Sequence, residues 1–128
     1  MISLTLALAL RDAGLAWVPS PGDRFAVTRT EMIDDVFYLA DMVIEARPLE
    51  TGTLFAFNGT TEWALDSVPQ SATVWLPDEN QLRMALDDTF VSLRREGREF
   101  VVELADGSTH RDPDAENAYA AALLATLA

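Results

Sequence analysis

Cysteine is absent from this chain, and histidine occurs once, as His110. Without a thiol or a second imidazole, the usual thiolate sites, zinc sites and nucleophilic triads are hard to assemble within one chain. The lack of thiols is compatible with a reducing cytosol. Cations are scarce as well: nine Lys and Arg stand against 21 Asp and Glu, which gives a net charge of -12 and a pI near 4.2. Phosphate backbones and anionic lipid surfaces repel such a chain at long range, because binding to them depends on Lys and Arg neutralising phosphates. Nucleic acid and membrane are therefore not expected as partners, and a basic protein surface is electrostatically preferred.

Long apolar runs are missing too; none approaches the roughly 20 residues that a membrane span needs. Ile2 to Leu10 is apolar but has no Lys or Arg before it, is broken by Arg11 and Asp12, and leads to no small-x-small cleavage site. It reads as the first helix of a cytoplasmic protein rather than a signal peptide. Gly22 and Gly59 are isolated, so neither phosphate-cradling pattern, G-x-x-x-x-G-K-[ST] or G-x-G-x-x-G, exists. There is no repeat, no low-complexity stretch and no linker.

What is present suits a single globular domain over residues 1–128. The composition is 49% hydrophobic and 23% charged, and a chain of this length buries roughly two thirds of its unfolded surface without help from disulfides or metals. Ser3 can cap a helix running to about Ala13, with Gly14 placed for a left-handed C-terminal residue. Pro19, Pro21 and Gly22 force a turn, Trp17 folds back onto the core, and Arg24 to Thr28 reads as a strand. Val36 to Leu65, rich in β-branched and aromatic residues, is the sheet. Asn58-Gly59 predicts a type I′ hairpin that pairs Phe57 with Thr60, Phe55 with Glu62 and Leu54 with Trp63. Leu54, Ala56, Trp63 and Leu65 then share the core face, while Phe55, Phe57, Glu62 and Asp66 occupy the other.

Asp78 and Gln81 form a capping box before a helix whose buried stripe is Leu82, Leu86, Phe90 and Leu93, with Arg94, Arg95 and Arg98 near its C-terminal end. Glu99 to Leu104 is a strand that Asp106-Gly107 turns toward Thr109 to Arg111. A last helix starts at Asp112 with Pro113 in its first turn and faces Ala115, Tyr119, Ala122, Leu123 and Leu127 inward. The expected fold class is α+β: an antiparallel sheet of about five to seven strands covered by an N-terminal, a middle and a C-terminal helix.

Candidate chemistry is thin. His110 and Asp112 suggest a His-carboxylate base, but one titratable group without a nucleophile does not define catalysis. Asp34, Asp35, Asp41, Glu45, Glu62 and Asp66 can converge at one end of the sheet, as a cation site, a carboxylate pair or a solvated rim; their spacing fits no calcium loop. Asn58-Gly59-Thr60 matches a glycosylation sequon, though turn geometry explains it better. Trp17, Trp63 and Trp75 suit core packing or the lining of a pocket.

Ala13-Gly14-Leu15-Ala16-Trp17 with Pro21-Gly22-Asp23-Arg24-Phe25, then Phe57-Asn58-Gly59-Thr60-Thr61-Glu62-Trp63-Ala64-Leu65-Asp66, and Trp75-Leu76-Pro77 with Gln81-Leu82-Arg83, resemble a family of small uncharacterised bacterial proteins over most of the chain. Such proteins sometimes carry a pilus-assembly ATPase label, which the missing nucleotide-binding loops contradict. The resemblance implies a fold relationship and no activity. A shorter similarity, in Phe57 to Asp66 only, is to immunity-type domains that neutralise toxins.

The leading expectation is a non-enzymatic cytoplasmic domain that binds a basic protein through Asp34, Asp35, Glu62 and Asp66, with Trp63 beside them. It has no catalytic residue, metal or cofactor. The alternatives are a small-molecule-binding domain or carboxylate-dependent enzyme using the same acids with Trp63 and Trp75, and an immunity-like or self-associating structural protein.

Overall fold

A computed structural model describes residues 1–29, 35–39, 44–50, 52–57 and 67–128. The fold is α+β, with three helices and nine strands among the described residues, and every strand pair is antiparallel. The described strands form three sheets of three strands each, where the sequence suggests one sheet of about five to seven. The chain divides into two compact units, a terminal unit of Met1–Ala16 with Leu76–Ala128 and a middle unit of Trp17–Trp75.

In the middle unit, β1 (Arg24–Val27) lies between β2 (Phe37–Tyr38) and β6 (Thr73–Trp75). A second sheet places β4 (Gly52–Phe57) between β3 (Ile44–Leu49) and β5 (Ser67–Pro69). Pro48 and Pro69 both sit on edge strands of this sheet, where a residue without an N–H leaves no ladder bond unmade. The register overturns the pairing drawn from Asn58-Gly59: Phe55 lies opposite Ala46 on one side and Val68 on the other, and Leu54 opposite Arg47 and Pro69. Both edges of β4 are thus filled at Leu54 and Phe55 by residues other than those expected, while Thr60, the expected partner of Phe57, lies outside the described residues. For the two residues whose burial is described, the faces are the reverse of those expected. Phe55 is fully buried and Leu54 only partly so. The core groups Phe25, Val27, Phe37, Leu39, Phe55 and Val68, with Trp17 and Ala72 packed against it.

The terminal unit begins with α1 (Leu4–Asp12), capped by the Ser3 hydroxyl, which accepts from Leu6 N at 3.2 Å. Gly14, at φ 102°, ends it, while Leu15 N donates to Leu10 O. The capping box of α2 (Glu79–Leu86) forms as expected: Asp78 accepts from Gln81 N, and Gln81 accepts from Asp78 N. The helix then stops eight residues after it starts. Asp87 to Thr89 make a single 3-10 turn, and Phe90–Glu96 becomes strand β7, paired with β8 (Glu99–Leu104). The helical stripe through Phe90 and Leu93 is therefore corrected: their three-residue spacing fits one face of a helix, but pairing with β8 outweighs local propensity. Arg94 and Arg95 consequently lie on a strand, and Arg98 lies in the β7–β8 turn, where Gly97 carries the positive φ of 62°.

β9 (Thr109–Asp112) completes this sheet after the Asp106-Gly107 turn. α3 (Ala115–Leu127) is capped by Asp114, two residues later than expected, because Asp114 Oδ1 accepts from the N–H groups of Glu116 and Asn117. α3 packs against α1, α2, β8 and β9. Its buried residues are Ala118, Tyr119, Ala120, Ala122 and Leu123; Ala115 is only partly covered, and Leu127 is exposed. Its first turn also receives the chain start: Met1, Ile2 and Ser3 donate backbone N–H to Asp114, Glu116 and Asn117.

Candidate functional site

Of the residues singled out for binding, Asp34, Glu62, Trp63 and Asp66 lie outside the described residues, as does Asp41. Asp35 is described and exposed, two residues before β2. Asp35 is therefore the member of the proposed contact set that the described residues include.

The middle unit builds its polar chemistry around an acid that sequence reasoning passed over. Ser20-Pro21-Gly22-Asp23 is a type II turn, with Pro at the second position, Gly22 at φ 91° and Asp23 N donating to Ser20 O at 3.1 Å. The turn is pinned to the strand beside it by Gly22 N to Leu39 O and Leu39 N to Asp23 O. Asp23 is 6% exposed, and its Oδ2 accepts from Trp17 Nε1 at 2.9 Å and Ser20 N at 3.0 Å. A buried carboxylate is tolerable only when hydrogen-bonded in this way. The consequence is positional: Trp17 is held with its ring 5.3 Å from Phe55, 6.0 Å from Phe25 and stacked at 6.1 Å on Trp75. The Pro-Gly-Asp turn was visible in the sequence; that its acid would bond an indole six residues back was not. Trp75 Nε1 is buried and has no hydrogen-bond partner among the described residues.

In the terminal unit, the register puts Arg94, Val101 and Arg111 side by side on one sheet face. Arg94 Nε donates to Glu96 Oε2 at 2.6 Å and its Nη1 to Glu103 Oε1 at 3.1 Å, while Arg111 Nη1 donates to Glu96 Oε1 at 3.1 Å. Val101 is fully buried between two arginines whose stems suit covering an apolar side chain. The hydrogen bond from Arg94, then that from Arg111, holds the Glu96 carboxyl below the usual carboxylate range, and the Glu96 bond raises the Arg94 guanidinium in return. The ladder is exposed, so its worth to stability is small. It pairs two of the chain's nine cations with Glu96 and Glu103.

The nearest approach to a catalytic constellation is at the β8–β9 turn. Ser108 Oγ donates to Asp106 Oδ1 at 2.6 Å and lies 3.3 Å from His110 Nε2. A serine nucleophile needs its proton aimed at the base. Here the proton goes to Asp106, whose carboxyl is held low first by that hydroxyl and then by Ser108 N–H, which makes it a weak base. The group locks the turn. Asp112 is not the partner of His110, because its Oδ1 accepts from Asp114 N and Asn117 Nδ2. No cluster of three or more His, Asp or Glu among the described residues is placed to hold a metal.

Asp87 breaks two local rules at once. It takes φ 52°, ψ -127°, and is the one non-glycine residue with positive φ among the described residues. With Asp88 it also places negative charge at the C-terminal end of α2, where the helix dipole disfavours it. Both residues are exposed. Strain of this kind costs about 1–3 kcal/mol and tends to collect at functional positions. The reading of one helix from the Asp78 cap through Leu93 concealed it; the run of two acids and a threonine, all poor helix formers, was the available signal.

No family model, curated protein or solved structure matches the chain.

Proposed function

We propose that this chain is a non-enzymatic cytoplasmic domain that binds a basic protein through an acidic surface. The observation that carries the reading is the net charge of -12. Every one of the nine cations is an arginine, and Arg11, Arg94 and Arg111 are engaged by the chain's own carboxylates; this pairing withdraws both signs together and leaves the net charge of -12 as the field a partner meets. Exposed, strained Asp87 beside Asp88 supports the same reading, since acids kept where they destabilise a helix end are accounted for by contact rather than by stability. Asp34, Asp35, Glu62 and Asp66 form the proposed contact set in the middle unit, with Trp63 as aromatic anchor. The proposal includes the relationship to the family of small bacterial proteins noted above.

The test is charge reversal. With a captured partner in hand, Asp35→Lys and Glu62→Lys each weaken the complex, and added salt weakens the wild-type complex more than either variant's. A complex indifferent to both salt and reversal removes the reading.

A second reading, small-molecule binding, has one observation in its favour: the buried Trp75 indole N–H, which has no acceptor among the described residues, beside the stacked ring of Trp17. A ligand carrying an acceptor for that N–H would shift tryptophan emission and raise the melting temperature in a ligand screen.

A further inference from the structure

We infer that the Ser108 hydroxyl helps protect the Asp106–Gly107 peptide from isomerisation to isoaspartate, which makes the β8–β9 turn a latent modification site that this hydroxyl and two backbone hydrogen bonds hold closed. The turn creates the hazard for a geometric reason. Gly107 sits at φ 86°, a conformation an L side chain adopts only with strain, so glycine is demanded there. Asp106 is demanded as well, because its Oδ1 accepts from Ser108 N at 2.8 Å and closes the turn. Together they place the least hindered kind of backbone nitrogen directly after a carboxyl side chain.

In the reaction the Gly107 nitrogen attacks Asp106 Cγ and a C–N bond forms. One carboxyl oxygen leaves as water, taking the carboxyl proton and the amide proton, and a succinimide ring remains. Water then adds to one of the two ring carbonyls. Addition at Cγ breaks the new bond and restores aspartate; addition at the main-chain carbonyl breaks the original peptide bond and leaves the chain joined through Cγ. One water leaves and one returns, and no oxidant or reductant takes part.

The structure opposes each requirement. The leaving oxygen must be protonated, but Oδ1 accepts from both Ser108 Oγ at 2.6 Å and Ser108 N, two bonds that favour the ionised carboxylate. The nucleophile must turn toward Cγ, but Gly107 N–H is committed to Leu104 O at 2.9 Å. His110 Nε2 lies 3.3 Å from Ser108 Oγ; the tautomer protonated at Nε2 donates to that oxygen and leaves the hydroxyl hydrogen for Asp106. Of these restraints, the hydroxyl is the one a single substitution removes without touching the backbone.

The experiment incubates the full-length chain, folded and in denaturant, and follows isoaspartate at Asp106 by peptide mapping for wild type, Ser108→Ala and Ser108→Thr. The loss of one hydrogen bond to a carboxylate corresponds to about a ten-fold faster reaction in folded Ser108→Ala, with Ser108→Thr close to wild type and all three alike in denaturant. Asn58-Gly59, the other pair in which glycine follows an Asx residue, serves as an internal clock through its deamidation. Ser108→Ala reacting no faster than wild type when folded, or slower because the hydroxyl assists the leaving oxygen, overturns the proposal. A separate reading holds if the alanine variant fails to fold: wild type must isomerise at Asp106 far more slowly folded than denatured, and equal rates overturn the proposal without any variant.

Discussion

The middle unit and the terminal unit fill their interiors with different side chains. Eight of the 11 aromatic residues fall within Trp17–Trp75, and there Trp17, Phe25, Phe37, Phe55 and Trp75 form a continuous run of ring contacts at 5.0 to 6.1 Å. The terminal unit relies on Leu82, Leu86, Val101, Val102, Leu123 and the alanines of α3, with Phe90 against Tyr119 as its ring pair. Polar groups differ in the same direction. The middle unit buries a carboxylate, Asp23, to hold a ring, whereas the terminal unit keeps its carboxylates at caps, turns and an exposed ladder. A few large rings held by one buried acid concentrate stability in few residues; many small aliphatics with separate caps distribute it.

The largest effect should come from cutting the aromatic run. Phe55→Ala removes a fully buried ring that touches Trp17 and Phe25, and should lower unfolding free energy by about 3–5 kcal/mol in a denaturant titration, with a red shift of Trp17 emission. A loss below about 1 kcal/mol would erase the contrast between the units. Removing the charge of Asp23 with Asp23→Asn should cost about 1.5–3 kcal/mol, the range for hydrogen bonds to charged groups, and a neutral result would show that Trp17 is held by packing alone.

In the terminal unit the effects are smaller, and one has the opposite sign. Asp87→Gly should raise the melting midpoint, worth about 1 kcal/mol, because glycine adopts the positive φ without strain; Asp87→Ala should not. If Asp87 is kept for contact, the more stable glycine variant should bind its partner less well. The pH response follows from Asp114. Burial disfavours its charge, yet the Met1 ammonium and the N–H groups of Asn117 and Glu116 outweigh that and hold the carboxyl below its ordinary value. A carboxylate lowered on folding contributes stability that is complete above its unfolded-state value and is lost as pH falls through the folded one. Wild type should therefore lose stability on acidification in that range, and Asp114→Asn, already lacking the contribution, should show a flatter acid limb.

Much of this was legible in the sequence wherever a cap or turn fixes the backbone by itself. Ser3, the Asp78–Gln81 box and the turns at Gly14, Gly22 and Gly107 are local devices, and each forms where the residues place it. The errors lie where a partner decides. Phe90 and Leu93 fit helical spacing and lost to pairing with β8. Phe55 alternates equally well in either direction, and packing against Trp17 and Phe25 decided its face. The proposed site was legible only as a charge surplus, since a carboxylate carries no spacing signal unless a metal or nucleophile imposes one. Asp87 and Asp23 became visible through a backbone angle and an indole contact, quantities that no residue list contains.

The central claim, recognition of a basic protein by an acidic surface, is tested most directly by affinity purification of the tagged chain from its host at low and high salt, with identification of whatever co-elutes. The account predicts a basic protein retained at low salt and released at high salt. A chain that retains nothing at either salt, or holds a partner that salt does not release, contradicts it.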